Sequence, residues 1–299
     1  MKPRIALAVW LLVPAVALFV GCTMGPMVWT PEVTEEMKVD TAGLTGLEVE
    51  THNGNLEYFG QADHEPGAAV TVLKKGGGLT AADAEAALKA IEVYVEPQGK
   101  DVKKIAWRWR TIKQPSWGAC VGYRIDAPAK LGLTGTSHNG YVEASGIVGN
   151  VNLESYNGNV KLADAQGKVS LKSHNGWVEA RSSGGPLHAE SYNGQVKAVY
   201  EGGEIELRSH NGEVEADLSR CGSVRGEIVS YNGGIEVVAG KTMAANLNCE
   251  AYNGGIKCDV PWQVKEMSRG KATGTIGQGG GPLEVTTHNG SIRIKQSGA

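Results

Sequence analysis

The chain has 299 residues, 42 of them Gly and only two Phe, so glycine stands at about twice its usual ~7%. Apolar residues still hold 41%, which excludes a disordered low-complexity chain, and the glycines do not fall every third residue, which excludes collagen. Lys plus Arg number 29 against 32 Asp plus Glu, a formal net charge of −3, so the balance gives no reason to expect nucleic acid as a partner.

The chain opens with a targeting pattern. Lys2 and Arg4 precede an apolar run from Ile5 to Phe19, which Val20-Gly21-Cys22 closes with small residues. A run this short reads as a secretory signal peptide over residues 1–21 rather than a membrane span. The Cys directly after Gly21 resembles the bacterial lipobox, with Phe19 where Leu is commonest. That resemblance implies cleavage before Cys22, lipidation of Cys22 and attachment to a membrane through the lipid. With Thr23 rather than Asp next, it implies the outer membrane. Residues 22–38, with Pro26 and Pro31, read as a tether, and residues 39–299 as the folded domain.

Val49-Glu50-Thr51-His52-Asn53-Gly54-Asn55-Leu56 is the first copy of a motif that next returns at His138-Asn139-Gly140. Between them an α+β insertion is expected, at about 60–127. Thr80 to Val93 has helical spacing, with Ala84, Ala87, Leu88 and Ile91 on one face and Thr80 as N-cap. Val102–Ile112 and Ala119–Ile125 read as strands. The expected task of the insertion is to cover an otherwise open sheet end. Alternation in Trp107-Arg108-Trp109-Arg110 puts both Trp on one face. They either pack inward or form an aromatic-basic platform for sugars or anionic polymers.

From Gly140 to Gly212 a Gly recurs every nine residues without a miss. Val, Leu or Ile follows two positions later and Ala or Leu four positions later, the period-2 signature of a strand with one buried face. The tripeptide His/Tyr-Asn-Gly occurs nine times, its Gly at 54, 140, 158, 176, 194, 212, 233, 254 and 290. Gly and Asn accept the positive φ angles of tight turns. Two strands and two turns per 18 residues predict an all-β fold, a β-solenoid (β-helix) of about 18 residues per coil with the α+β insertion near its N-terminal end. A sandwich or barrel would not need identical residues at identical offsets. Coils lie about 4.8 Å apart, so residues 18 apart become neighbours. Glu143, Lys161, Glu179, Lys197 and Glu215 then alternate in sign along one column, and Glu154, Lys172, Glu190 and Arg208 along another. The stretch Val260–Gly281 fits the repeat poorly, as a degenerate coil or extruded loop, and His288-Asn289-Gly290 restores one last coil.

No column supplies the recurring Asp of a calcium-binding β-roll. His138, His174 and His210 recur only every second coil, about 9.6 Å apart by strand spacing, too far to share a zinc ion. The sequence therefore implies no metal and no cofactor. It contains no Gly-x-Ser-x-Gly elbow or Walker-type loop, and the expectation is that it is not an enzyme. Beyond Cys22 the cysteines are Cys120, Cys221, Cys249 and Cys258. Cys249 and Cys258 read as unpaired core thiols, because sheets stacked ~10 Å apart exceed disulfide reach. The candidate ligand-facing ladder is His138, Tyr156, His174, Tyr192, His210, Tyr231 and Tyr252.

The lipobox, the early copy, the helical insertion and the run of S-x-N-G-x-V-x-A strands together resemble the bacterial putative-adhesin family of β-strand-repeat envelope (lipo)proteins, over about residues 39–299. The resemblance implies surface attachment and offers no catalytic residues. The function expected is that of a non-catalytic, lipid-anchored cell-envelope protein whose solenoid is a structural or adhesive surface. Its partner would be the membrane and a cell-surface polysaccharide or protein, with no nucleic acid. The alternative is a polysaccharide-binding or -processing β-helix using the aromatic/Asn ladder.

Overall fold

The computed structural model describes residues 27–64, 66–182 and 184–298. The targeting segment and Cys22 lie outside the described residues. Twelve repeat strands form the centre: β9 (Gly132–Ser137), β10 (Val142–Ser145), β11 (Val151–Ser155), β12 (Val160–Ala165), β13 (Val169–Ser173) and β14 (Val178–Ser182), then β15 (Leu187–Ser191), β16 (Val196–Tyr200), β17 (Gly203–Ser209), β18 (Val214–Leu218), β19 (Val224–Ser230) and β20 (Ile235–Ala239). Successive strands alternate between two sheets, odd-numbered in one and even-numbered in the other. Within each sheet they run parallel. Val142, Val160, Val178, Val196 and Val214 are successive partners in one sheet, and Val151, Val169, Leu187 and Ile205 in the other. The columns read from the sequence are therefore physical columns, and neither sheet closes into a barrel.

Alternate residues of each strand face inward and are buried. The buried columns consist mainly of Val, Leu, Ile and Ala, and each fully buried Val or Leu contributes about 1.5–3 kcal/mol. Tyr200 is the one fully buried aromatic of these twelve strands, so the interior stays thin. A Ser ends most inward rows of the odd-numbered sheet and is buried with its hydroxyl satisfied. Ser155 Oγ donates to Gly140 O at 2.8 Å and accepts from Gly158 N at 2.9 Å, as buried polar groups require.

The tight-turn glycines correct one expectation. None of the Gly of His/Tyr-Asn-Gly has a positive φ. What requires Gly there is close approach: a Cβ on Gly176 would stand 2.3 Å from Gly158 O.

The N-terminal part comprises β1 (Val28–Trp29), β2 (Val33–Val39), β3 (Gly46–Thr51), β4 (Leu56–Gln61), β5 (Ala68–Gly78), α1 (Ala81–Ala90), β6 (Ile91–Pro97), β7 (Val102–Trp109) and β8 (Gly118–Pro128). β3 and β4 pair with β9 and β10, in register Leu47 with Leu133 and Leu56 with Val142. The insertion does not sit apart as a lid. It extends both sheets at the N-terminal end: β7 lies parallel to β3 and β8 parallel to β4, and β6 and β5 then pair antiparallel with them. Antiparallel pairs thus end both parallel stacks.

α1 is shorter than its helical pattern. Thr80 caps it with a full capping box, but Ile91 is already extended and begins β6, where Ile91, Val93 and Val95 alternate with Glu92, Tyr94 and Glu96. The helix packs on β5 so closely that a Cβ on Gly76 would stand 2.3 Å from Ala84 O. Replacing Thr80 with Ala should cost about 1 kcal/mol in urea unfolding, read as a lower midpoint with unchanged slope.

The expected tether is also different. Val33–Val39 forms β2, paired along its length with β5, and Lys74, buried on β5, is ion-paired with Glu35. The proline spacing that read as a tether hid the alternation of Val33, Glu35, Met37 and Val39.

The largest departure lies at the C-terminal end, in β21 (Ala245–Ala251), β22 (Ile256–Cys258), β23 (Trp262–Met267), β24 (Lys271–Ile276), β25 (Pro282–Thr287) and β26 (Ile292–Gln296). β21 and β22 do not pair with β19 and β20. The last two strands of the chain enter between them, giving the orders β19-β25-β21 and β20-β26-β22. The final unit restored after Gly281 is therefore an internal layer and not the terminal one. Val260–Gly281 contains neither a degenerate coil nor a bare loop: β23 and β24 form an antiparallel pair laid outside β21.

Candidate functional site

The His/Tyr-Asn-Gly turns line up along one side of the odd-numbered sheet, where each strand but β21, which ends in Ala251, ends in Ser or Thr before its turn. Backbone bonds run from turn to turn, such as Asn157 N to His138 O at 2.8 Å and Asn193 N to His174 O at 2.9 Å. The Asn side chains form a ladder of their own. Asn157 Nδ2 donates to Asn139 Oδ1 at 2.6 Å, Asn175 to Asn157 at 2.7 Å and Asn193 to Asn175 at 2.8 Å. The ladder continues through Asn211, Asn232 and Asn289 to Asn253. An Asn amide suits this because it offers a donor on one side and an acceptor on the other. Asn175→Ala removes two such bonds, each worth about 0.5–1.5 kcal/mol, and should lower the unfolding free energy by about 1–3 kcal/mol in denaturant melts.

The rings of the preceding residue stack beside the amides. His138 and Tyr156 stand 4.9 Å apart at 13°, Tyr156 and His174 4.8 Å apart, Tyr192 and His210 4.6 Å apart, and His210 and Tyr231 4.5 Å apart at 9°. These spacings equal the strand separation, so the backbone sets the ring stack. All seven residues read from the sequence as a ladder lie on this column. Two further rings belong to it: His52 stacks on His138, and His288 fits between Tyr231 and Tyr252 at 4.7 Å from each. Both stand in the same tripeptide, which is the signal that places them. With His288 in place, His and Tyr alternate without a break from His138 to Tyr252. Tyr156, Tyr192, Tyr231 and Tyr252 are 44–64% exposed, so the column presents ring edges to solvent while the stacked faces are turned to neighbouring rings.

Burial first, and then the neighbouring His138 and Lys113, hold the His52 pKa below the ordinary histidine value. Among the described residues no group of three or more His, Cys, Asp or Glu could hold a metal ion, and no helix is long and apolar enough to cross a membrane.

The charge columns are realised. Glu143, Lys161, Glu179, Lys197 and Glu215 are successive register partners, with Lys161 2.9 Å from Glu143 and Lys197 3.2 Å from Glu215. These pairs are largely solvated and contribute about 0–1 kcal/mol each; they hold register. Trp107 and Trp109 pack against the core and meet edge-to-face at 5.6 Å. Arg108 pairs with Glu92 and lies 4.9 Å over the Tyr94 ring. The Trp pair is therefore packing and not an aromatic-basic platform.

Cys221, Cys249 and Cys258 are free, the first two buried and the third half-buried. Burial pushes the Cys249 and Cys221 thiols up to about 12, so neither is a reactive thiolate at neutral pH.

No protein-family model matches the chain, and no curated protein matches it. Solved structures do. A putative cell adhesion protein from Clostridium sporogenes is 14% identical, with 89% of this chain and 100% of that one covered at a TM-score of 0.30. A putative adhesin from Bacteroides fragilis is 14% identical, covering 89% and 97% at 0.35. A putative adhesin from Parabacteroides distasonis is 10% identical, covering 88% and 97% at 0.33.

Proposed function

We propose that this chain is a non-catalytic, lipid-anchored protein of the bacterial cell envelope, held at the outer membrane through Cys22, in which a β-solenoid presents the His/Tyr–Asn ladder as an adhesive surface. The solenoid reading is supported by the alternation of successive strands between two sheets and by register partners 18 residues apart. The observation that carries the function is the column of solvent-exposed rings on a hydrogen-bonded Asn spine. A rigid row of exposed rings at fixed spacing costs little entropy to present, and aromatic side chains are favoured where surfaces meet. The other outward columns are alternating charges that neighbouring strands already satisfy. Regular, repeated carboxylates do not make a catalytic pair.

Two measurements test this reading. In a bacterial host fed a labelled fatty acid, the chain should carry label and fractionate with the envelope, and Cys22→Ser should lose both; label retained by the variant refutes the anchor. Cells displaying the protein should adhere to a polysaccharide- or protein-coated surface, and Tyr192→Ala with Tyr231→Ala should reduce adhesion severalfold with the fold intact. Unchanged adhesion would remove the ladder from the function.

A further inference from the structure

The charge column on the outer face of the odd-numbered sheet is interrupted at one place. Beyond Glu154 the register runs to Thr136, then to Glu50, so a short side chain stands between two carboxylates that are about 9.6 Å apart by strand spacing. The insertion adds β7 and β6 next to β3, bringing Ala106 and its cross-strand partner Tyr94 to the same face. The result is a cavity of about 390 Å³ at the N-terminal end of the ladder, within the size range of small-ligand sites. Along the column the lining runs Glu154, Thr136, Glu50, Ala106 and Tyr94, with the short Thr136 and Ala106 on either side of Glu50, and His138 and Tyr156 line it from the turns.

The lining selects the ligand. His138 and Tyr156, stacked with their neighbours, turn ring edges to the cavity, and carboxylates accept hydrogen bonds from hydroxyls with the added strength of a charged acceptor. Glu50 is fixed in place by Lys104 Nζ at 2.6 Å, which also holds Glu48 at 3.0 Å. Glu154 lies 3.8 Å from His174. Lys104 is thus already engaged, and burial, His138 and Lys113 hold the pKa of His52, which also lines the cavity, below the ordinary histidine value. An anionic ligand would meet two carboxylates on the lining. A neutral, hydroxyl-rich ring meets acceptors and aromatic edges.

We propose that this cavity binds one neutral pyranose unit of a glycan; the proposal rests on the reading of the ladder face as the ligand-bearing surface and names the place and chemistry on it. The test is titration calorimetry of the full chain against neutral hexasaccharides of glucose, mannose, galactose and N-acetylglucosamine, with hexagalacturonate as the anionic comparison. At least one neutral probe should bind, and hexagalacturonate should bind at least tenfold more weakly. Thr136→Trp, which fills the cavity from an outward strand position, should weaken binding at least tenfold, and Glu154→Gln severalfold. Tyr231→Ala with Tyr252→Ala, at the far end of the column, should leave it unchanged. No binding by any neutral probe, or preference for the anionic one, overturns the cavity. Binding lost in the far-end variant but kept in Thr136→Trp also overturns it while leaving the ladder surface standing, so the two failures are distinct.

Discussion

Removing residues 282–299 will leave a chain that does not reach its native fold, with cooperative thermal unfolding lost or its midpoint lowered by tens of degrees. The deleted strands are internal. Without them β19 and β21 face each other across a gap of about two strand spacings, ~9.6 Å, as do β20 and β22. The bonds from Ile235 N to Ser291 O, His288 N to Ser230 O and Tyr252 N to Thr287 O, all 3.0–3.1 Å, disappear from both sides of the gap. So do four fully buried side chains, Leu283, Val285, Ile292 and Ile294. At about 1.5–3 kcal/mol each, their burial alone is worth about 6–12 kcal/mol, which is comparable to the ~5–15 kcal/mol of a whole domain. Val285→Asp tests the same layer without shortening the chain, because an unpaired charge there would stand in an apolar interior. A synthetic peptide of residues 282–299 added to the truncated chain should restore part of the cooperative transition by entering the gap. An unchanged melt in the truncated chain would mean that the final unit is a terminal layer.

Why that insertion escaped the sequence reading is physically plain. A strand's pattern reports which face is buried and not which strand lies beside it. Two neighbouring gaps, after β20 and after β22, could each accept a Leu-x-Val unit with the same buried face. The single trace is the succession of Tyr231 and Tyr252, which breaks the His/Tyr alternation until His288 is placed between them. The repeat columns, by contrast, were fully legible, because each of their residues is constrained twice, by its own strand and by the identical strand 18 residues away. The charge columns and the ring ladder were legible on the same ground. The cavity was half legible. Thr136 shows as a gap in the charge column, but Tyr94 reaches the site through β6, whose antiparallel pairing with β7 no repeat announces. β2 and β5 were missed for the same reason: they are single copies, and their partners are far away in the chain.

Placing one methyl group on the turn column should do damage out of proportion to its size. A Cβ on Gly194 would stand 2.2 Å from Gly176 O, and the same contact recurs along the column, at 2.0 Å for Gly158 on Gly140 O, 2.2 Å for Gly212 on Gly194 O and 2.1 Å for Gly290 on Gly233 O. The atom struck is backbone, so no rotamer change can relieve it. The turn must either lift away, breaking the bonds of its Asn to the rungs on both sides, or push the neighbouring turn, which meets the same contact one layer further on. Gly194→Ala should therefore cost at least the ~1–3 kcal/mol typical of an overpacked interior, and Gly194→Val should disrupt the ring stack between Tyr192 and His210 as well. Gly255→Ala is the internal comparison: its Cβ would meet nothing within 4 Å and its φ is not left-handed, so the change should stay within about 0.5 kcal/mol. Urea unfolding of the three variants separates the explanations. A large loss at Gly194 with little at Gly255 shows that the abundant glycine is used for backbone approach between layers. Equal small losses would show only the conformational entropy that any glycine replacement changes, and the column would then be a matter of composition and not of contact.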